Sequence, residues 1–108
     1  MRMIAVLSRN VVGNTRHYMG MPPILTGGID YRQDLGPARF LVIEEKPDGI
    51  FLYRYGSGGE FAGDTWHQSM DDAKHQVAFE YGDSVGDWRE VPLEISDVIA
   101  YGVHLAKS

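Results

Sequence analysis

The stretch from Phe61 to Trp88, FAGDTWHQSMDDAKHQVAFEYGDSVGDW, decides the fold: a glycine-punctuated strand hands over to a capped acidic helix and then to a turn. Ser69 has the marks of a helix N-cap, because its hydroxyl can accept from an early backbone N–H. Asp72, three residues on, completes a capping box with aspartate in place of the usual glutamate. Asp71 and Asp72 also lie where the helix dipole favours negative charge. At helical spacing Met70, Ala73, Val77 and Tyr81 fall on one stripe with Ala78 at its flank, and Gly82 ends the helix where a left-handed residue is wanted. The stripe predicts a helix packed on a sheet. Phe79 breaks it, projecting among Asp72, His75 and Gln76, so it is either covered by the N-terminal segment or offered to a partner.

Upstream of this stretch the pattern changes from helical spacing to strands. Ala38 to Glu45 contains the apolar run Phe40-Leu41-Val42-Ile43, which suits a strand covered on both faces. Lys46-Pro47-Asp48-Gly49 reads as a tight turn, since proline presets φ and glycine accepts a positive φ. In Ile50 to Tyr55, alternation puts Phe51, Tyr53 and Tyr55 on one face and Ile50, Leu52 and Arg54 on the other. Gly56-Ser57-Gly58-Gly59 is the next reversal, and Glu60 to Thr65 supplies a third strand. The three form an antiparallel meander, the simplest connection that needs no crossover.

Downstream, Asp83 to Gly86 reads as a turn, Trp88 as a core plug and Val91-Pro92-Leu93 as a short extended piece. Ser96-Asp97 can cap a second, short helix carrying Val98, Ile99, Gly102 and Val103, although Val98 to Leu105 also fits a strand. At the other end, Met3 to Leu7 reads as a strand. Asn10 to Gly36 holds many glycines and Pro22-Pro23 without sustained period, with room for a strand near Ile24 to Tyr31. The expected class is α+β: an antiparallel sheet of three or more strands packed against one main amphipathic helix, with a short C-terminal helix.

At 108 residues the chain has room for one self-sufficient core, so residues 1–108 are expected to form a single domain. The absence of cysteine excludes disulfides and thiolate chemistry and points to a reducing compartment, the cytoplasm. The apolar run before Ser8 is too short for a signal-peptide core or a membrane span, so neither is expected. Charge is unevenly spread within the net −5. Residues 1–59 carry seven basic and five acidic side chains, whereas residues 60–97 carry two basic (Lys74, Arg89) and ten acidic. Such an acidic block repels a nucleic-acid backbone and suits either a solvated face or a basic protein partner.

Motifs for catalysis are scarce. Gly56-Ser57-Gly58-Gly59 lies between antiparallel strands and lacks the third glycine of a dinucleotide fingerprint. His67, Asp71 and His75 are spaced by four, yet without a His-Glu-x-x-His pattern, and Asp71 is explained by the helix dipole, so no metal is expected. No nucleophile sits in a Gly-x-Ser-x-Gly elbow, and no catalytic residue or cofactor is assigned. An enzyme would instead need a pocket joining His67 or His17 to a carboxylate. In Gly63-Asp64-Thr65-Trp66-His67, Gly63 admits a bulge and Trp66 fills the corner between strand and helix. The same cluster also fits an anchor for a ligand or protein.

The order strand, Gly63-Asp64-Thr65-Trp66-His67, Ser69-capped helix with Ala73 and Gln76, Phe79-Glu80-Tyr81-Gly82, then Trp88 before Val91-Pro92, resembles a recurrent pattern in small bacterial proteins. Some of these look like immunity proteins, which neutralise a toxin by plugging its site. The resemblance covers the second half of the chain and implies an immunity-type role, while the acidic block and the off-stripe Phe79 predict a non-catalytic binding domain. Its expected contacts with a basic partner are Asp64, His67, Asp71, Asp72, His75 and Phe79. A self-complementary Phe79 face would instead give a homodimer.

Overall fold

The computed structural model describes residues 1–8, 18–19, 33–34 and 37–107. In chain order the strands are β1 (Arg2–Val6), β2 (Tyr18–Met19), β3 (Gln33–Asp34), β4 (Phe40–Lys46), β5 (Gly49–Tyr55), β6 (Phe61–His67) and β7 (Arg89–Glu90). Helix α1 (Met70–Tyr81) lies between β6 and β7, and α2 (Val98–Ala106) follows β7. Five strands form one antiparallel sheet in the order β6-β5-β4-β1-β7, while β2 and β3 form a two-stranded sheet of their own among the described residues. The strand expected near Ile24 to Tyr31, and His17, lie outside the described residues.

The α+β class and the meander β4-β5-β6 follow from local rules. The Pro47-Asp48 turn closes the first hairpin, with Lys46 opposite Gly49 at φ 148°. The second reversal is closed by Gly56 N–H to the Glu60 carbonyl at 2.7 Å. Gly63, at φ 113°, accompanies a slip in register between β5 and β6, the expected bulge. What the local pattern does not give is the place of β1. It pairs with β4 on one side and β7 on the other, so it is an interior strand.

Each face of the sheet carries one helix. On the first face, Leu41, Ile43, Ile50, Leu52 and Ala62 pack against Ala73, Val77 and Tyr81 of α1, with Met70 and Trp88 partly buried beside them. Complete burial of each large apolar side chain there contributes about 1.5–3 kcal/mol before chain entropy is counted. On the second face, Ile4, Phe40, Val42 and Tyr55 pack with Ala106, Val98, Tyr101 and Val103 from α2. A helix rather than a strand forms at Val98 because Asp97 caps it, its carboxylate accepting from Ala100 N–H at 3.0 Å. The backbone of α2 comes close to the sheet at Gly102, where a Cβ would overlap the Phe40 ring.

Helix α1 begins as expected. Ser69 Oγ accepts from Asp72 N–H at 3.0 Å, and Gly82, at φ 55°, closes the far end with its N–H donating to the Ala78 carbonyl. Only half of the expected capping box forms, because the Asp72 carboxylate turns instead to the His67 ring. No helix among the described residues is long and apolar enough to cross a membrane.

Candidate functional site

The boundary between the sheet and α1 holds a continuous polar chain inside an otherwise apolar layer. The alternation of β5 that buries Ile50 and Leu52 also carries Arg54 inward, to complete burial. On α1, Glu80 lies beside the apolar stripe and is 5% exposed. Arg54 Nε donates to Glu80 Oε1 at 2.9 Å and Nη2 donates to Oε2 at 2.5 Å, while Gln76 Nε2 reaches the same carboxylate at 2.7 Å. Such a forked pair is the geometry in which a guanidinium and a carboxylate best offset the loss of their hydration.

The chain continues into β6. Arg54 Nη2 lies 3.3 Å from Thr65 Oγ1, which is 2.7 Å from His67 Nε2, and His67 Nδ1 is 3.0 Å from Asp72 Oδ2. The proton positions follow from donor capacity. Arginine only donates, so the Thr65 oxygen accepts from it, and the Asp72 carboxylate only accepts, so His67 carries a proton on Nδ1 and donates that N–H to it. In the neutral ring Nε2 is then the acceptor for the Thr65 O–H. Hydroxyl, imidazole and carboxylate therefore stand in the order used by nucleophilic hydrolases. His67 is 7% exposed, however, and neither of two open hollows formed by described residues is lined by it. One, of about 530 Å³, is lined by Arg39, Ser57, Gly58, Glu60, Ala106 and Lys107. The other, of about 520 Å³, is lined by Glu45, Lys46, Pro47, Gly49, Ile50 and Gln68.

Burial also acts on Tyr81, against the same layer. Loss of hydration, reinforced by the negative charge of Glu80, pushes its phenol up to about 12.

The six residues expected to meet a partner divide into three groups. Asp71, Asp72, His75 and Phe79 are all exposed on the outer side of α1, Phe79 at 86%. His67 is inside, beneath Asp72. Asp64 is exposed on the opposite face of the sheet, across from Tyr53. Trp66 does not fill the corner between strand and helix. It pairs with Phe51 on the face away from α1 and stays 54% exposed. No group of three or more His, Asp or Glu side chains among the described residues is placed to hold a metal ion.

Comparison with family models, curated proteins and solved structures gives no match. The chemistry of the site therefore stands on its own residues. Arg54, Glu80 and Thr65 are the members that sequence reasoning missed. The signal for Arg54 was its inward phase on β5, and for Glu80 its position next to Tyr81.

Proposed function

We propose that this chain is a non-catalytic protein-binding domain, of the immunity-inhibitor kind, that offers the outer face of α1 to a basic partner in the cytoplasm. The observation that supports it is Phe79, a large aromatic ring 86% exposed on a helix whose neighbouring exposed residues are Asp71, Asp72 and His75, with Asp83 one turn on. An apolar centre within an acidic rim is the anatomy of a recognition patch, in which the ring supplies contact and the carboxylates steer encounter. Burying Glu80 against Arg54 leaves the remaining helix carboxylates outward, so the patch keeps its negative field without a charge stranded in the core.

The test is affinity capture from the source organism's lysate with the wild-type chain, F79S and D71R, at low and high salt. A basic protein retained by the wild type, lost with F79S and weakened by salt and by D71R, supports the proposal. Identical captured sets for all three chains would overturn it. A solution mass of two chains that reverts to one in F79S would assign the patch to a second copy instead.

A second reading rests on Thr65, His67 and Asp72, whose order fits an enzyme that activates a hydroxyl. Against it stand the Arg54 contact to that hydroxyl and the burial of His67. Stoichiometric labelling of Thr65 by a fluorophosphonate, abolished in H67A, would favour the enzyme; absence of labelling favours the binding domain.

A further inference from the structure

Among the described residues, helix α2 covers only part of the second sheet face. Register defines three cross-strand rows that run from the part it covers out to the exposed β6 edge: Glu44, Phe51 and Trp66; Val42, Tyr53 and Asp64; Phe40, Tyr55 and Phe61. Along β5 the rings of Phe51, Tyr53 and Tyr55 stack in a column, with centroids 6.2 and 6.4 Å apart. The column already holds a cation from the chain itself. Lys46 Nζ sits 5.1 Å from the Phe51 centroid and 5.6 Å from that of Tyr53, and donates to the Tyr53 hydroxyl at 3.0 Å.

At the free edge, β6 repeats this chemistry without a cation over its rings among the described residues. Asp64 is exposed between Trp66 and Phe61, which are 54% and 41% exposed and project to the same side. Trp66 is held in place although it fills no core. Its indole N–H donates to the Asp48 carbonyl at 3.1 Å, and the ring lies so close over Gly49 that a Cβ there would overlap the indole nitrogen. An exposed aromatic side chain ordered in advance is what a binding hot spot requires, because its rotamer entropy is already spent.

We propose that Phe61, Asp64 and Trp66 form a clamp for an arginine side chain on an extended basic segment of a partner protein. The guanidinium plane stacks on Trp66 and forks onto the Asp64 carboxylate, and Phe61, two rows further along β6, meets the neighbouring part of the extended segment. Arginine fits better than lysine because it is planar, weakly hydrated and able to bond in two places while stacked. Charge selects the occupant. Glu44, Asp48 and Asp64 outnumber Lys46 on this corner, and a second copy of a chain carrying net −5 would meet repulsion there. The clamp lies on the sheet face opposite α1, so it stands or falls separately from the Phe79 patch.

The experiment is a titration of the ¹⁵N-labelled full chain with a short arginine–glycine peptide, and with its lysine–glycine counterpart, at physiological ionic strength. The Trp66 indole N–H resonance is the reporter in the wild type and D64N, and the backbone amides of β6 report in every chain, W66L included. The expected result is a saturable shift, with the arginine peptide binding about fivefold tighter. W66L and D64N should each weaken it about tenfold, and D71N on α1 less than about twofold. Both substitutions are at exposed positions, and D64N is nearly isosteric, so folding is preserved. Equal affinity for the two peptides, or binding that survives W66L and D64N, would overturn the clamp. So would a Trp66 shift that tracks protein concentration without peptide, which would mark self-association.

Discussion

Arg54 and Glu80, 26 residues apart in sequence, face each other across the interior as a forked ion pair whose side chains are 0% and 3% exposed. The pair bolts α1 to β5 at a point where two apolar side chains would otherwise meet. The third guanidinium nitrogen of Arg54, Nη1, has no hydrogen-bond partner among the described residues, so the desolvation of the arginine is incompletely offset. Removing one member strands the other charge. R54M or E80M alone should therefore lose about 3–5 kcal/mol, and the double variant R54M/E80M should recover most of that loss. Urea unfolding of the four proteins as a double-mutant cycle measures the coupling.

The polar chain fixes the tautomer of His67. With Thr65 donating to Nε2 and Asp72 accepting from Nδ1–H, the neutral imidazole should show a protonated Nδ1 and a bare Nε2 by ¹⁵N NMR. Replacing Thr65 with valine removes the donor to Nε2. That change should cost about 1–3 kcal/mol, because a buried acceptor is left without its partner.

Gly102 poses a contest between two opposed effects. In an exposed helix, glycine to alanine stabilises by about 0.5–1 kcal/mol. Here the added methyl would enter the Phe40 ring, and overpacking costs about 1–3 kcal/mol. G102A should therefore be a net loss of about 1–2 kcal/mol in thermal or denaturant unfolding.

Tyr81 predicts alkaline sensitivity. Its phenol titrates at 10.0 when free and is pushed up to about 12 in the fold, chiefly by burial. Below pH 10 both states hold the proton and the contribution of Tyr81 is complete. Between pH 10 and 12 the unfolded chain ionises first, so stability declines, and above that window the loss is finished. Y81F should flatten part of the decline. Tyr55, also raised by burial, has the same sign and keeps the rest. Unfolding free energies measured across this range, with phenolate absorbance alongside, check both parts.

Much of the architecture was legible because local rules govern it. Ser69, Gly82, Pro47-Asp48-Gly49 and Gly63 each do in the structure what their backbone chemistry requires. Alternation along β5 alone separates Ile50, Leu52 and Arg54 from the aromatic column. The pairing of Arg54 with Glu80 was not legible, because a carboxylate on a charged helix reads as solvated until a partner from a distant strand is placed beneath it. Trp66 was misassigned to the strand–helix corner for a related reason. Its side of β6 depends on its register with Phe51, a nonlocal property. The outward position of Asp71, Asp72, His75 and Phe79 was visible from helical spacing, whereas the inward turn of His67 depended on Thr65 and Asp72 meeting it.

The interior place of β1 bears on how the chain is made. Within this chain β1 precedes both of its neighbours: one is built from residues 40–44 and the other from 89–90. Its edge toward β4 can be covered once that strand has been made, whereas its edge toward β7 must stay solvated until residues 89–90 have appeared, and closing so distant a loop is slow. The sheet is thus completed last at β7, and until then β1 is the segment most in need of protection by chaperones on the nascent chain.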